Sequence, residues 1–510
     1  MKKNDFQASS QEITTIAKGA GIVFIGTIIG AGLRYVFQII IARNLGVELF
    51  GTFFLGFAVF KVAGMITELG LPNGIIRYVA LFYGERDERR VKGIITLAVK
   101  VVILSSIIIA TLIILLSKTI SFNLFHKIEL TNILRLFAMA IPFTTLTTIL
   151  VFSTQGFKIM KYKVLVREIF EPLVRITLVI ILFIFGWKLY GVIFSYLIPL
   201  ILGPLLAFYY LKKIFPQITR KEVLPIYETK KLLDFSWPLL FVQFLGLSML
   251  WIDTLMLGFF KTFQDVGIYS AAQRTALLGS IIISSFNSIF APVISDLYNR
   301  KELDKLNNYF KTVAKWIFTF SFPLFLLMIF FAESILNVFG HEFIKGATCL
   351  IILSIGWIIY SGVGSVGQMI IMSGRQKLHL VNMSSILFMN IILNLILIPK
   401  YGIIGAAIAT STSIILFSII ELIQVYLILK IHPYRKDFLK PLFAGGVSLF
   451  TLSLLTELII CNIYSGMLKS LILGSVAFIG IYILIFYILG LQEEDKIVLE
   501  KIKEKFQLKQ

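Results

Sequence analysis

Arg34 stands alone in an apolar run. Nothing from Gly19 to Leu33 is charged, and nothing from Tyr35 to Ala42. A guanidinium at the centre of a membrane helix costs about 2.5–3.5 kcal/mol on insertion scales, so something must meet it. Its planar fork can hold a phosphate or carboxylate through two parallel hydrogen bonds. At about 1.5 Å per residue, Arg34 lies about 13 Å from Arg43 along a helix, too deep for easy snorkelling. Three uses remain open for it: an anion site in a wet cavity, a structural ion pair, or a snorkelling side chain.

Other ionisable residues share this setting. Asp253, in "WIDTLML", is about 12 Å along a helix from Lys261, a depth similar to that of Arg34, so the two can form an ion pair that switches or stays fixed. Lys61 and Glu68 are seven residues apart and share a helix face; they read equally as a proton- or cation-linked site or as two separate cavity groups. Glu171 and Arg175 are four apart and can neutralise each other, which competes with a cavity role for Arg175. Arg274 is a further basic cavity candidate. Lys100 and Arg135 are near enough to helix ends to snorkel. Asn390 and Asn394 lie on one face, where amides bind sugar hydroxyls or, more simply, tie helices together.

The elements that position these residues follow from composition. The chain has 510 residues, 58% hydrophobic and 15% charged, with a mean hydropathy of +0.90. Soluble domains run at about 25% charged, so the class is an all-α membrane protein that crosses many times. About 20 apolar residues make one crossing. On that basis fourteen spans are expected, near 18–42, 52–75, 93–117, 131–154, 166–187, 190–211, 234–260, 267–293, 315–335, 346–373, 380–399, 403–429, 441–460 and 468–490. The first is read as an uncleaved span rather than a signal peptide. Pro142, Pro172, Pro199, Pro204, Pro238 and Pro323 are expected to interrupt spans. "SDLYNRKELDKLNNYFKTVAKW" reads as an amphipathic surface helix.

Charge distribution orients the map. With the N-terminus inside, 34 of the 48 Lys and Arg residues fall in inner segments or at the span ends beside them and 8 in or beside outer loops; Arg34, Lys61, Lys100, Arg135, Arg175 and Arg274 are the rest. That asymmetry places both termini in the cytoplasm. It also assigns the net charge of +20 to anionic inner-leaflet lipid rather than nucleic acid. Cys349 and Cys461 are far apart and suggest no disulfide framework. The four histidines share no ligand spacing, so no metal and no cofactor is inferred. No Walker motif is present, which excludes an ATP-driven pump of that type.

The chain also repeats itself. Gly46 matches Gly258, Gly51 matches Gly267, Gly156 matches Gly374 and Gly191 matches Gly405, all in order and at nearly constant offset. Two parallel six-helix lobes follow, residues 1–215 and 216–432, with accessory spans in 433–492 and a tail, 493–510. In transporters built this way, substrate sits at the lobe interface.

"ARNLGVELFG", "WIDTLMLGFFKTFQDVGIYSAA", "FAPVISDLY" and "PKYGIIGAAIATSTSII" resemble the polysaccharide transporter family. These are O-antigen-type flippases of the multidrug/oligosaccharidyl-lipid/polysaccharide exporter superfamily. The resemblance covers nearly the whole chain. It implies two six-helix lobes around a cavity, and a polyprenyl-diphosphate-linked oligosaccharide as substrate. It gives Arg34 a diphosphate to bind, with Asp253 as its partner in the empty carrier. Pathway glycosyltransferases and a polysaccharide polymerase are the implied partners, and H+ or Na+ the possible coupling ion, with Glu68 a candidate to carry it. The alternatives are a lipid II-type flippase, a drug/cation antiporter and, from another class, a membrane glycosyltransferase or ligase. The last would want clustered outer-loop acids; Glu48, Glu129, Asp265 and Glu342 are scattered singly.

Overall fold

The computed structural model describes residues 2–455, 467–490, 492 and 494–496; for residues 2–20, 22 and 468 only the backbone is described. Cys461 lies outside the described residues. All regular structure among them is helical. The helices are α1 (Lys2–Glu68), α2 (Leu71–Gly84), α3 (Glu88–Thr119), α4 (Leu130–Gly156), α5 (Lys161–Lys163), α6 (Glu171–Ile184), α7 (Leu189–Ile214), α8 (Thr229–Phe260) and α9 (Phe263–Ala276). They continue with α10 (Ser280–Asn299), α11 (Leu303–Phe330), α12 (Ala332–Asn337), α13 (Ala347–Gly362), α14 (Val366–Met372), α15 (Gln376–Leu429), α16 (Leu439–Leu455) and α17 (Met467–Ile488). A π-helical stretch, Val164–Phe170, joins α5 to α6. The chain packs as two compact units, Met1–Ser270 and Ala271–Gln510.

Among the described residues, 11 helical stretches are long and apolar enough to cross a membrane. Fourteen crossings were expected, and the difference has physical causes. Val23–Gly84 counts as one stretch of 62 residues and Gln376–Leu429 as one of 54. Straight helices of those lengths would run about 80–90 Å, against a hydrocarbon core of about 30 Å. Each is broken by a glycine in a conformation other residues rarely adopt: Gly46 (φ 73°) and Gly402 (φ 58°). The expected fifth span does not count because Arg167, Glu168, Glu171 and Arg175 make it more charged than the other stretches.

Pro142, Pro199, Pro204, Pro238 and Pro323 lie inside continuous helices. Pro172 also lies within a continuous helical run, at the second residue of α6 directly after the π-helical stretch. The amphipathic surface helix expected over 295–316 is absent as a separate element. Those residues are the end of α10 and the start of α11, joined by a short turn in which Lys301 has φ 60°.

Two of the glycines matched in the sequence, Gly51 and Gly267, approach each other in the first unit. A Cβ on Gly51 would lie 1.8 Å from the Phe263 carbonyl oxygen, and one on Gly267 2.2 Å from that of Val47. Each oxygen belongs to the residue four before the facing glycine. Two matched helix starts therefore cross through matched residues, backbone against backbone, as small-residue crossings in membranes do.

In the second unit, the segment after α17 is clasped to α11. Lys315 Nζ donates to both Asp495 oxygens (2.8 and 2.9 Å), and Trp316 Nε1 donates to Oδ1 at 2.7 Å. Arg435 adds bonds to Glu494 and Gln492. Burial raises the Asp495 pKa, but the bonds from Lys315 and Trp316 outweigh it and hold the carboxyl below its ordinary value of 3.8. A depressed carboxylate contributes stability above its unfolded pKa and loses it as pH falls through the folded one. The clasp should therefore hold at neutral pH and open only below about pH 4. Asp495→Asn should weaken it by about 2 kcal/mol, which is roughly 30-fold in local opening. Limited proteolysis of the C-terminal segment at pH 7 measures this; equal cleavage of variant and wild type would show that the clasp does not hold the tail.

Candidate functional site

The first unit gathers most of the intramembrane charges around the π-helical stretch. Pro172 has no N–H to bond the Glu168 carbonyl, and its ring would collide with that carbonyl in a regular helix. The chain preceding it widens into the π form, a feature common at functional sites. Gly26 and Gly30 on α1 receive this wider segment. A Cβ on Gly26 would overlap Val164, and one on Gly30 would lie 2.9 Å from the Glu168 carbonyl oxygen. Arg34 is one further turn along the same face of α1. Its guanidinium meets the Glu168 carboxylate at 2.6 Å, with side-chain exposures of 39% and 17%. The pair therefore keeps an open side.

The network continues through α4 and α6. Arg167 donates to the Thr144 carbonyl at 3.0 Å and to the Thr148 hydroxyl. Its Nε lies 3.7 Å from Glu171. Glu171, 3% exposed, is bound on its other side by Arg175 at 2.8 Å, as the four-residue spacing requires. The Arg175 guanidinium covers the Tyr196 ring at 3.9 Å. Glu68, at the end of α1, is hydrogen-bonded with Thr148 and feels the charges of Arg167 and Lys61. Lys61 Nζ sits over Phe57 at 5.1 Å and Phe60 at 5.9 Å, contacts that favour a cation. Arg34, Lys61, Arg167 and Arg175 thus face Glu68, Glu168 and Glu171, and cations are in excess. A partly open cationic cluster at membrane depth can hold a compact anion of more than one charge.

One expected pairing is corrected. Arg34 is met by Glu168 and not by Asp253: the glycine face of α1 turns it toward the π stretch. Asp253 is buried and accepts a 2.6 Å hydrogen bond from Tyr269. Lys61 and Glu68 form no close pair with each other; rings hold the first, and Thr148 with Arg167 the second. Arg274 is on α9 in the second unit, half-buried. Lys100 is exposed and bonds the Tyr227 hydroxyl at 3.1 Å, while Arg135 donates to Ser117 at 2.9 Å. Asn390 and Asn394 bond each other at 3.0 Å, and Asn390 reaches Thr410, the interhelical use expected of them. Glu168, Arg167 and Thr148 were not anticipated. The spacing Gly26, Gly30, Arg34 carried the signal, since small residues at i and i+4 leading to a charge mark a close helix contact ending at that charge.

The fold and this cluster define a multi-pass, all-helical membrane protein of the multidrug/oligosaccharidyl-lipid/polysaccharide exporter type. The lipid II flippase MurJ in its inward closed conformation superposes with a TM-score of 0.71 at 20% identity, over 92% of this chain and 98% of that one. The chain belongs to the polysaccharide biosynthesis protein family, which it matches over residues 16–298; the MatE family matches residues 238–396. An uncharacterised membrane protein of Methanocaldococcus jannaschii is 24% identical over 490 residues, 92% of this chain and 94% of that protein. A probable low-salt glycan biosynthesis flippase of Haloferax volcanii is 28% identical over 164 residues, 32% of this chain and 35% of the flippase.

Proposed function

We propose that this protein is a flippase that moves a polyprenyl-diphosphate-linked oligosaccharide across the cytoplasmic membrane for surface glycan assembly. The observation that carries the reading is the Arg34–Glu168 pair, a cation at membrane depth with one carboxylate on it and an open side. A diphosphate brings more charge than one carboxylate and matches the guanidinium fork, so it can displace Glu168. Arg167 and Arg175, tied up by Glu171, form a positive background that favours the exchange. Differential contact of this kind shifts a carrier between its states. Family membership and the Haloferax volcanii relative named as a glycan flippase support the same substrate class.

In this reading both termini are cytoplasmic. Residues 1–215 and 216–432 act as the two repeat lobes, 433–492 as the accessory pair, and 493–510 as a cytoplasmic tail. The chain performs no covalent chemistry; glycosyltransferases and a polymerase of the same pathway supply and consume its cargo. Asp253 and Arg274 are further groups along the path.

The test is reconstitution in liposomes with a fluorescent polyprenyl-diphosphate disaccharide and a membrane-impermeant quencher. Quenching of the inner-leaflet pool well above the rate in protein-free liposomes is expected. A rate equal to empty liposomes would defeat the reading. Sugar transfer onto an added acceptor would point to a transferase, and drug-stimulated ion flux to an antiporter.

A further inference from the structure

The second unit holds a buried acid–base pair that the cluster around Arg34 does not use. His379 Nδ1 lies 2.6 Å from Glu421 Oε1; the Glu421 side chain is 1% exposed and that of His379 19%. Both belong to α15, on opposite sides of the Gly402 kink, so the pair clasps one half of that helix to the other. One turn further, Asn382 and Gln424 exchange two hydrogen bonds of 2.6 and 3.0 Å between the same halves. Buried carboxylates are costly unless paired, and among the described residues the ion-pair partner of Glu421 is a histidine. Histidine is the side chain whose charge changes under physiological conditions.

We propose that His379 and Glu421 form the proton-binding site through which transport is coupled to proton movement. This rests on the flippase reading above. In the proton-poor form, neutral His379 donates Nδ1–H to Glu421. The incoming proton adds to Nε2, on the more exposed residue of the pair, and gives imidazolium against carboxylate. Release reverses the step. The pair passes from net negative to neutral, and the clasp across α15 changes strength with it. A charge change of this kind biases a two-state carrier only if the states differ at that spot, and the proposal places that difference at the Gly402 kink.

The surroundings limit what else can titrate there. Tyr360 on α13 faces Glu421. From α14 it is Gly367 that approaches: a Cβ there would lie 3.0 Å from Glu421 Oε2. The Phe417 ring meets the imidazole edge to face, with centroids 5.8 Å apart. Arg375, at the same helix end, is engaged with Tyr298 and Ser373, and Lys377 is exposed.

Two measurements test the proposal. In liposomes, the ratio of flipping rates with and without a two-unit pH gradient should be about tenfold for the wild type, within the range typical of site coupling. It should fall below about twofold in Glu421→Gln and in His379→Gln. An undiminished ratio in both variants would overturn the proposal. Separately, in a pH titration of purified protein labelled with 15N in its four histidines, one imidazole signal should respond differently from those of the three exposed histidines. That signal should vanish in His379→Gln and move in Glu421→Gln; a His379 signal indifferent to Glu421→Gln would also overturn it. If the wild type moves no lipid under any gradient, the flippase reading fails, while the titration still judges the proton site.

Discussion

Arg34→Ala should reduce the flipping rate about 100-fold or more in liposomes while the protein still inserts and folds. Charge-assisted hydrogen bonds are worth about 1.5–3 kcal/mol each, so losing the two that the fork gives a diphosphate costs at least about 100-fold, at about 1.4 kcal/mol per tenfold. In the wild-type protein the guanidinium meets Glu168 at 2.6 Å with 39% of its side chain exposed, so substrate can approach the remaining donors. Arg34→Lys should fall about tenfold, because an ammonium keeps the charge but loses the fork. Glu168→Gln should retain substrate binding, since the diphosphate itself satisfies Arg34, and should tighten it by removing the competitor. Binding of a polyprenyl diphosphate, measured beside flipping, separates these effects. If Arg34→Ala flips at the wild-type rate, the pair is structural and the cluster is not the headgroup site.

Gly51→Ala should be among the most damaging single methyls in the first unit. The added carbon would fall 1.8 Å from the Phe263 carbonyl oxygen, a contact with backbone on both sides and no flexible tip to give way. Overpacking usually costs about 1–3 kcal/mol, and this site should be at the upper end. Gly267→Ala should behave alike, as its methyl would meet the Val47 carbonyl oxygen at 2.2 Å. The double variant should cost less than the sum, because once the helices separate for one methyl they admit the other. Gly64→Ala is the control: no atom lies within 4 Å of its Cβ position, and alanine is the better helix former. Thermal unfolding of detergent-purified variants reads the difference. Gly51→Ala as stable as Gly64→Ala would mean that the two helix starts do not cross as described.

Composition and order along the chain determined the class of this protein. Apolar runs of crossing length made it a membrane protein because a soluble core cannot hide so much apolar surface. Contacts within one helix were legible too: Glu171 and Arg175, or Asn390 and Asn394, meet because a helix fixes where residue i+4 must lie. Glycines in register suggested a repeat, and two of them, Gly51 and Gly267, lie where two helix starts touch. What the tertiary structure alone decided was which charge meets which across helices. Depth along a helix suggested Asp253 for Arg34, but depth is one coordinate, and rotation about the axis is another. Pro172 widens the preceding turn, Gly26 and Gly30 let that turn close on α1, and together they bring Glu168 rather than Asp253 to the guanidinium. The pair His379–Glu421 was hidden for the same reason: its members are 42 residues apart, and only the fold-back of α15 at Gly402 makes them neighbours.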